Sequence, residues 1–432
     1  MRPDAPPDAR IQRALTREPS PGLAGDLFAD IAVALERTPQ VRSWRIGWPM
    51  RGAMPVVGES AARRRLGTAG LVLVTLLALL VSIAVVGLIG GRRHPLPAGL
   101  ARPGLIAFDS AGDIFVSPAD GTPPRPLTTG PNDDIEAVFS PDGTQIAYLS
   151  LVAGTSQVRL NVVAADATTQ PPTVVVELAA SGRNGGPQVP FIHIAWSPDS
   201  TRIAYTAMAG GHPQLFVASM DGVSPVPIGP SDIEGESPVW SPDGLQIAFK
   251  GGHFNLDRGI YVMNADGTGA PLRLTPPSRA QVTPDVMFSA PAWSLDGALV
   301  AYSSMVDDGG SHVFVVSSRG GDPQDVSGPP GFSGWSPAWS PDGEWLAWRA
   351  GGDGVPGQFV VARPDGTDRS ILPPAVGGAP VWSPDGRHLI GSSNNVATGT
   401  TDRLIVIDVV HGTWSEIPAE LAGDPSWQRL AR

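Results

Sequence analysis

The chain has 432 residues, 42% of them hydrophobic, which is enough for one large core and too long for a single small domain. It has no cysteine, which excludes disulfides, thiolate chemistry and any Cys-ligated zinc site. The net charge of −11 is uneven: residues 1–68 carry +4 and the remainder −15, so the larger part lacks the clustered cations that nucleic acid needs.

Residues 1–68 are rich in Pro and Arg. They predict one helix, Asp26 to Arg37, in which Leu27, Phe28, Ile31, Val33 and Leu35 form a broad apolar stripe stopped at Thr38-Pro39. The segment is too small for an independent core and is expected to be partly disordered. Gly70 to Gly90 then runs for 21 residues without a charge. That length crosses a hydrocarbon core of about 30 Å, so residues 69–91 are expected to be a transmembrane helix. Arg63, Arg64 and Arg65 on one flank outweigh Arg92 and Arg93 on the other. This places the N-terminus in the cytoplasm and the larger part outside the cell membrane, with a single pass. Residues 92–103, with Pro95, Pro97 and Pro103, read as a linker.

From residue 104 to 430 one unit recurs. Its leading copies are VFSPDGTQIAY (138–148), AWSPDSTRIAY (195–205), VWSPDGLQIAF (239–249), AWSLDGALVAY (292–302), AWSPDGEWLAW (338–348) and VWSPDGRHLIG (381–391). Pro presets the turn, Asp bonds backbone amides, and Gly takes the left-handed position that ends a hairpin. Ser200 in place of Gly and Leu295 in place of Pro predict two strained or looser turns. A second strand and an Asp-Gly turn follow, as in IYVMNADG (260–267), and then a short third segment. Each unit is therefore a four-stranded meander. Spacings of 40 to 57 residues between Ala107, Ala147, Ala204, Ala248, Ala301, Ala347 and Ile390 suit propeller blades. The first unit lacks a leading strand, whereas Pro425-Ser426-Trp427 at the end lacks a blade. The fold expected is all-β, a seven-bladed β-propeller closed by its C-terminal strand, which removes the open edges.

The WSPDG-x-x-IAF core followed by IYV-x-x-ADG resembles the WD-repeat-like repeat of TolB-like propellers. The resemblance implies the fold over residues 104–430. It implies little about activity, since similar propellers serve as periplasmic binding proteins and as non-catalytic parts of peptidases.

The SPDG and ADG turns share one end of the ring and are short and uniform. The other connections share the opposite end and are expected to be long and varied, which is where recognition sits on a rigid scaffold. Candidate ligand-binding residues on that side are Asp133, Asp134, Glu136, Glu234 and Glu236 with neighbouring Asp232, then His193, and an aromatic group of Phe288, Phe332 and Trp335. The acidic residues suit a cation or a cationic peptide, or else are solvated loop tips. The aromatic residues suit an anchor, or else loop packing. Trp196, Trp240, Trp293, Trp339 and Trp382 recur with the repeat and read as core.

The seven histidines show no HExxH spacing, and neither a GxSxG elbow nor a P-loop is present. With the sequence ending at Arg432, no α/β-hydrolase domain is expected. No catalytic set, metal or cofactor is expected, and the chain reads as a non-enzyme that binds a protein or peptide ligand. The layout of short cytoplasmic segment, single span and external domain resembles membrane-bound anti-sigma proteins, without their Cys/His zinc motif. This implies a sigma factor at residues 1–68 as an alternative reading. A propeller lyase or cyclase acting at the channel mouth is a second.

Overall fold

Each Ser-Pro-Asp-Gly segment closes on itself before it touches any other part of the molecule. The serine hydroxyl donates to its own aspartate at 2.5–2.6 Å in Ser140–Asp142, Ser197–Asp199, Ser241–Asp243, Ser294–Asp296, Ser340–Asp342 and Ser383–Asp385. The same aspartate oxygen accepts the amide two residues on, as from Thr144 at 3.0 Å and Arg387 at 3.1 Å. Two hydrogen bonds to one carboxylate pin the chain reversal and fix the register of the flanking strands. Ser200 adopts φ 59°, so the glycine position is strained there as its sequence implies. The Leu295 turn is not looser: Gly297 N still donates to Ser294 O at 2.9 Å, because the Ser–Asp contact sets the turn without the proline.

The computed structural model describes residues 101–120, 122–155, 157–166, 172–179, 193–253, 258–276, 289–306, 310–328, 333–352, 355–393, 403–418, 423 and 425–430. The predicted span, the segment before it and most of the linker lie outside these residues. Among the described residues no helix is long and apolar enough to cross a membrane.

The strands form seven four-stranded antiparallel sheets. Blades 2 to 7 each lead with their innermost strand: Asp133–Phe139, Ile194–Trp196, Glu234–Trp240, Ala292–Trp293, Ser333–Trp339 and Gly377–Trp382. In blade 1 that place is taken by Ser426–Leu430, which pairs antiparallel with Arg102–Ser110 in the register Ile106 to Trp427 and Ala107 to Ser426. Each innermost strand touches the innermost strand of the next blade, including Gly377–Trp382 to Ser426–Leu430 and Ser426–Leu430 to Asp133–Phe139. The ring is closed as the repeat count requires, and the first strand starts at Arg102, just before the repeat.

Seven apolar clusters fill the seams between blades. The closing seam packs Ile106, Phe108 and Trp427 of blade 1 against Ile390, Leu404, Val406 and Ile417 of blade 7. The repeating tryptophans are core: Trp196, Trp240, Trp293 and Trp382 are each 5–8% exposed. Five donate Nε1 to a backbone carbonyl of the preceding blade at 3.0–3.1 Å: Trp196 to Val138, Trp240 to Ala195, Trp293 to Val239, Trp339 to Ala292 and Trp382 to Ala338. The two junctions of the closing strand differ. Trp427 Nε1 is buried with no hydrogen-bond partner among the described residues. Phe139 cannot donate from its ring, and its amide donates instead to Ser426 Oγ at 3.0 Å.

Candidate functional site

Strand direction puts the SPDG turns at one end of the ring and the connections between blades at the other. The second end is more mixed than the sequence implies. Ser110–Asp113 and Ala209–His212 are tight hairpins there, while several neighbouring connections are longer. At this end the innermost strands of blades 2, 4 and 6 break register, between Ile135 and Val138, Glu236 and Val239, and Trp335 and Ala338. The residue inside each break has a left-handed backbone: Glu136 at φ 58°, Ser237 at 52° and Ser336 at 54°. A bulge of this kind re-aims a side chain, and left-handed non-glycine residues cost free energy that the surrounding fold must supply.

Glu136 uses that geometry to link three blades at the inner rim. Its Oε1 accepts from the Ile194 amide at 3.3 Å and lies 3.1 Å from His193 Nδ1 in blade 3. Its own amide donates to Asp109 Oδ1 of blade 1 at 3.4 Å. The His193 side chain is 47% exposed and that of Glu136 20%, so the histidine reaches solvent while the carboxylate beside it is mostly covered. Asp109 went unnoticed in the sequence because its partners come from blades distant along the chain. The returning chain packs on it, with Gly423 N donating to Asp109 O at 2.9 Å.

Asp133 is exposed, whereas Asp134 is buried beneath it. Ser150 Oγ donates to Asp134 Oδ1, and Asn161 Nδ2 donates to Ser150 Oγ at 2.7 Å. Burial pushes the Asp134 carboxyl above the ordinary aspartate range, the Asp113 and Asp133 charges push the same way, and hydrogen bonds from Ser150 and Thr128 oppose them. Burial also raises Asp113, whose Oδ1 has no partner among the described residues.

The acidic pair of blade 4 differs in kind. Glu234 and Glu236 are 3% and 8% exposed. Arg258 bridges them at 3.1 and 3.0 Å, Lys250 reaches Glu236 at 3.0 Å, and His212 reaches Glu234 at 3.1 Å. Burial works to raise the Glu236 carboxyl, and the Lys250 and Arg258 charges outweigh it, leaving it lowered. Lys250 is the only lysine in the chain, and neither it nor His212 nor Arg258 is among the candidate binding residues read from the sequence. Trp335 is half-buried on the innermost strand of blade 6, with the Arg349 guanidinium 5.6 Å from its ring centre. Phe288 and Phe332 lie outside the described residues. Among the described residues no group of three or more His, Asp or Glu side chains is placed to hold a metal ion.

The fold defines a seven-bladed β-propeller. No family model matches the chain. A stretch of 50 residues is 46% identical to the Tol-Pal system protein TolB of Methylobacillus flagellatus, spanning 12% of this chain and 12% of that protein. Among solved structures, TolB from Acinetobacter baumannii is 15% identical over 75% of this chain and 66% of its own, with a TM-score of 0.47. An oligogalacturonate lyase in complex with manganese is 15% identical over 74% of this chain and 86% of its own, with a TM-score of 0.53. A puromycin-hydrolyzing peptidase of Mycobacterium tuberculosis is 16% identical over 76% of this chain and 55% of its own, at 0.52.

These likenesses correct one expectation. The sequence alone points to a non-enzyme, because catalytic motifs are missing from it. The same fold is carried by a lyase and by a peptidase, so the propeller does not exclude catalysis.

Proposed function

We propose that the protein is a membrane-anchored, extracytoplasmic propeller that binds a protein or peptide ligand at the end of the ring opposite the SPDG turns. The observation that carries this reading is the Asp109–Glu136–His193 chain, which joins three consecutive blades at the inner rim through a left-handed bulge. Regular turns at the other end answer folding constraints, whereas this bulge spends backbone strain on re-aiming a carboxylate toward the half-exposed His193 at the rim. Anchoring is supported by the uncharged stretch 70–90 and by the flanking arginines. The first strand, Arg102–Ser110, starts at the SPDG side of the propeller. The layout also supports a sigma factor as the partner of residues 1–68, and its absence from a pull-down with that segment would end this part of the reading.

A photo-crosslinking residue at exposed Pro131, beside the rim, is expected to trap a partner in native membranes. The same residue at Leu245, 68% exposed on an SPDG turn, is expected to trap none. Equal trapping at both, or trapping only at Leu245, would overturn the assignment. Protease added to right-side-out vesicles should digest the propeller, and protection would reverse the orientation.

A further inference from the structure

Three blades offer an internal comparison at one register position, the step just before the bulge. In blade 2 that position pairs Ile135 with Leu149, in blade 4 Glu236 with Lys250, and in blade 6 Trp335 with Arg349. The first pair is apolar and packs in the seam with blade 3. The second is an ion pair at 3.0 Å. The third keeps the cation and replaces the carboxylate with an aromatic ring.

Arg349 is half-buried, and its Nε is enclosed with no acceptor among the described residues. Five arginines lie over aromatic rings, namely Arg202, Arg273, Arg349, Arg363 and Arg369. Four of them also hydrogen-bond: Arg202 to Gly244 O, Arg273 to Thr275 O, Arg363 to Glu344 and Arg369 to Val326 O. Arg349 alone of the five makes no hydrogen bond or ion pair to a described residue. Burial pulls its pKa down, with no neighbouring charge to counter that. A desolvated cation without a counter-charge destabilises a fold, so retaining one calls for a use.

The seat is also shaped around this side chain. A Cβ on buried Gly357 would lie 2.5 Å from Arg349 Nε and 2.6 Å from Val376 O, so only glycine lets the arginine lie there. With Trp335 on one side and this glycine on the other, the guanidinium is held in place before any ligand arrives. Ordering is thus done in advance, which favours binding.

We propose that Arg349, stacked on Trp335, is an anion subsite that receives a carboxylate of the ligand. A planar guanidinium fork matches a carboxylate with two parallel N–H···O bonds. One cation suits a monoanion better than a phosphate dianion, because Lys250 and Arg258 are committed to Glu234 and Glu236. This inference rests on the bulged end being the ligand side and adds the chemistry recognised there.

The test is a thermal melt of the full chain in detergent with sodium acetate, sodium phosphate or sodium chloride at matched ionic strength. Parent protein should gain roughly 2–4 °C as acetate saturates the site, relative to chloride. Arg349→Met should lose that acetate-specific gain. Without acetate it should melt at or above the parent, since an unpaired half-buried charge has been removed. No saturable acetate response, or the same response in Arg349→Met, overturns the proposal. A drop of several degrees in Arg349→Met would make the arginine a structural cation and overturn it too, and a larger Arg349-dependent response to phosphate would overturn the carboxylate assignment. Crosslinking from Pro131 reads the ligand side without involving Arg349, so the two readings fail separately.

Discussion

Replacing Trp427 with Phe should cost clearly less than replacing Trp382 with Phe. Both side chains are 7% exposed and both fill an inter-blade seam, so the loss of ring area is closely matched. They differ in one atom. Trp382 Nε1 donates to Ala338 O at 3.0 Å, whereas Trp427 Nε1 is buried without an acceptor among the described residues. A hydrogen bond of this kind stabilises by about 0.5–1.5 kcal/mol, and a buried polar group stripped of its partner costs about 1–3 kcal/mol. Trp382→Phe removes the bond, while Trp427→Phe removes a donor that was already orphaned among the described residues. The two variants should therefore differ by about 1–3 kcal/mol, with Trp427→Phe the more stable. In a domain of this size that is roughly 1–4 °C in melting temperature by calorimetry. Equal melting temperatures, or a lower one for Trp427→Phe, would refute the view that the closing junction lacks the bond that the other junctions repeat.

Three further outcomes follow from the same contacts. Gln428 accepts from the Leu105 amide at 3.0 Å and donates to Gly143 O at 2.8 Å, so Gln428→Leu should lower stability by about 1–3 kcal/mol in urea unfolding. Arg258→Met leaves Glu234 and Glu236 buried with less counter-charge and should cost about 3–5 kcal/mol by the same assay, opposite to the effect expected at Arg349. Acid should weaken the fold in a defined window. Burial works to raise the Asp385 carboxyl, but hydrogen bonds from His388, Ser383 and Arg387 hold it down to about 2, and Asp142, Asp199 and Asp296 are also lowered. A folded-state pKa below the ordinary 3.8 contributes stability that is complete above that value and lost as pH falls toward about 2. The raised Asp113 and Asp134 act oppositely: what they contribute is present below 3.8 and fades as pH rises through their folded values. Melting temperature should thus hold or rise slightly from pH 7 to about 5 and fall steeply below about 4, and Asp385→Asn should flatten the acid limb.

The architecture was legible because its causes are local. Ser, Pro, Asp and Gly within four residues make a turn wherever they occur, and the strand pattern on either side fixes a meander. Even the unusual closure could be read, since a leading strand was missing at one end and spare at the other. The site was legible only in part. Glu136 and His193 were picked out as polar residues at a loop end, but their contact at 3.1 Å spans two blades and depends on a bulge with no sequence signature. Asp109 sits in an ordinary strand and becomes a rim residue only when the ring closes. Glu234 and Glu236 read as candidate ligand-binding acids or solvated loop tips, because the cations that balance them arrive from other strands of blades 3 and 4. Arg349 is silent in the sequence for the same reason: what distinguishes it is a missing partner among the described residues, and absence of a partner is a property of three dimensions.

The arrangement of every site residue depends on the C-terminal strand completing the first blade, and the cysteine-free chain allows a direct measurement. Arg102 and Leu430 are exposed Cα partners in that pairing. Antiparallel partners lie about 4.5–5.5 Å apart, within reach of a disulfide. The double variant Arg102→Cys, Leu430→Cys, oxidised in native membranes, should form an intramolecular disulfide in nearly every monomer, seen as one linked peptide pair after digestion. Free thiols, or only disulfides between two chains, would contradict the closed ring and the ligand side built on it.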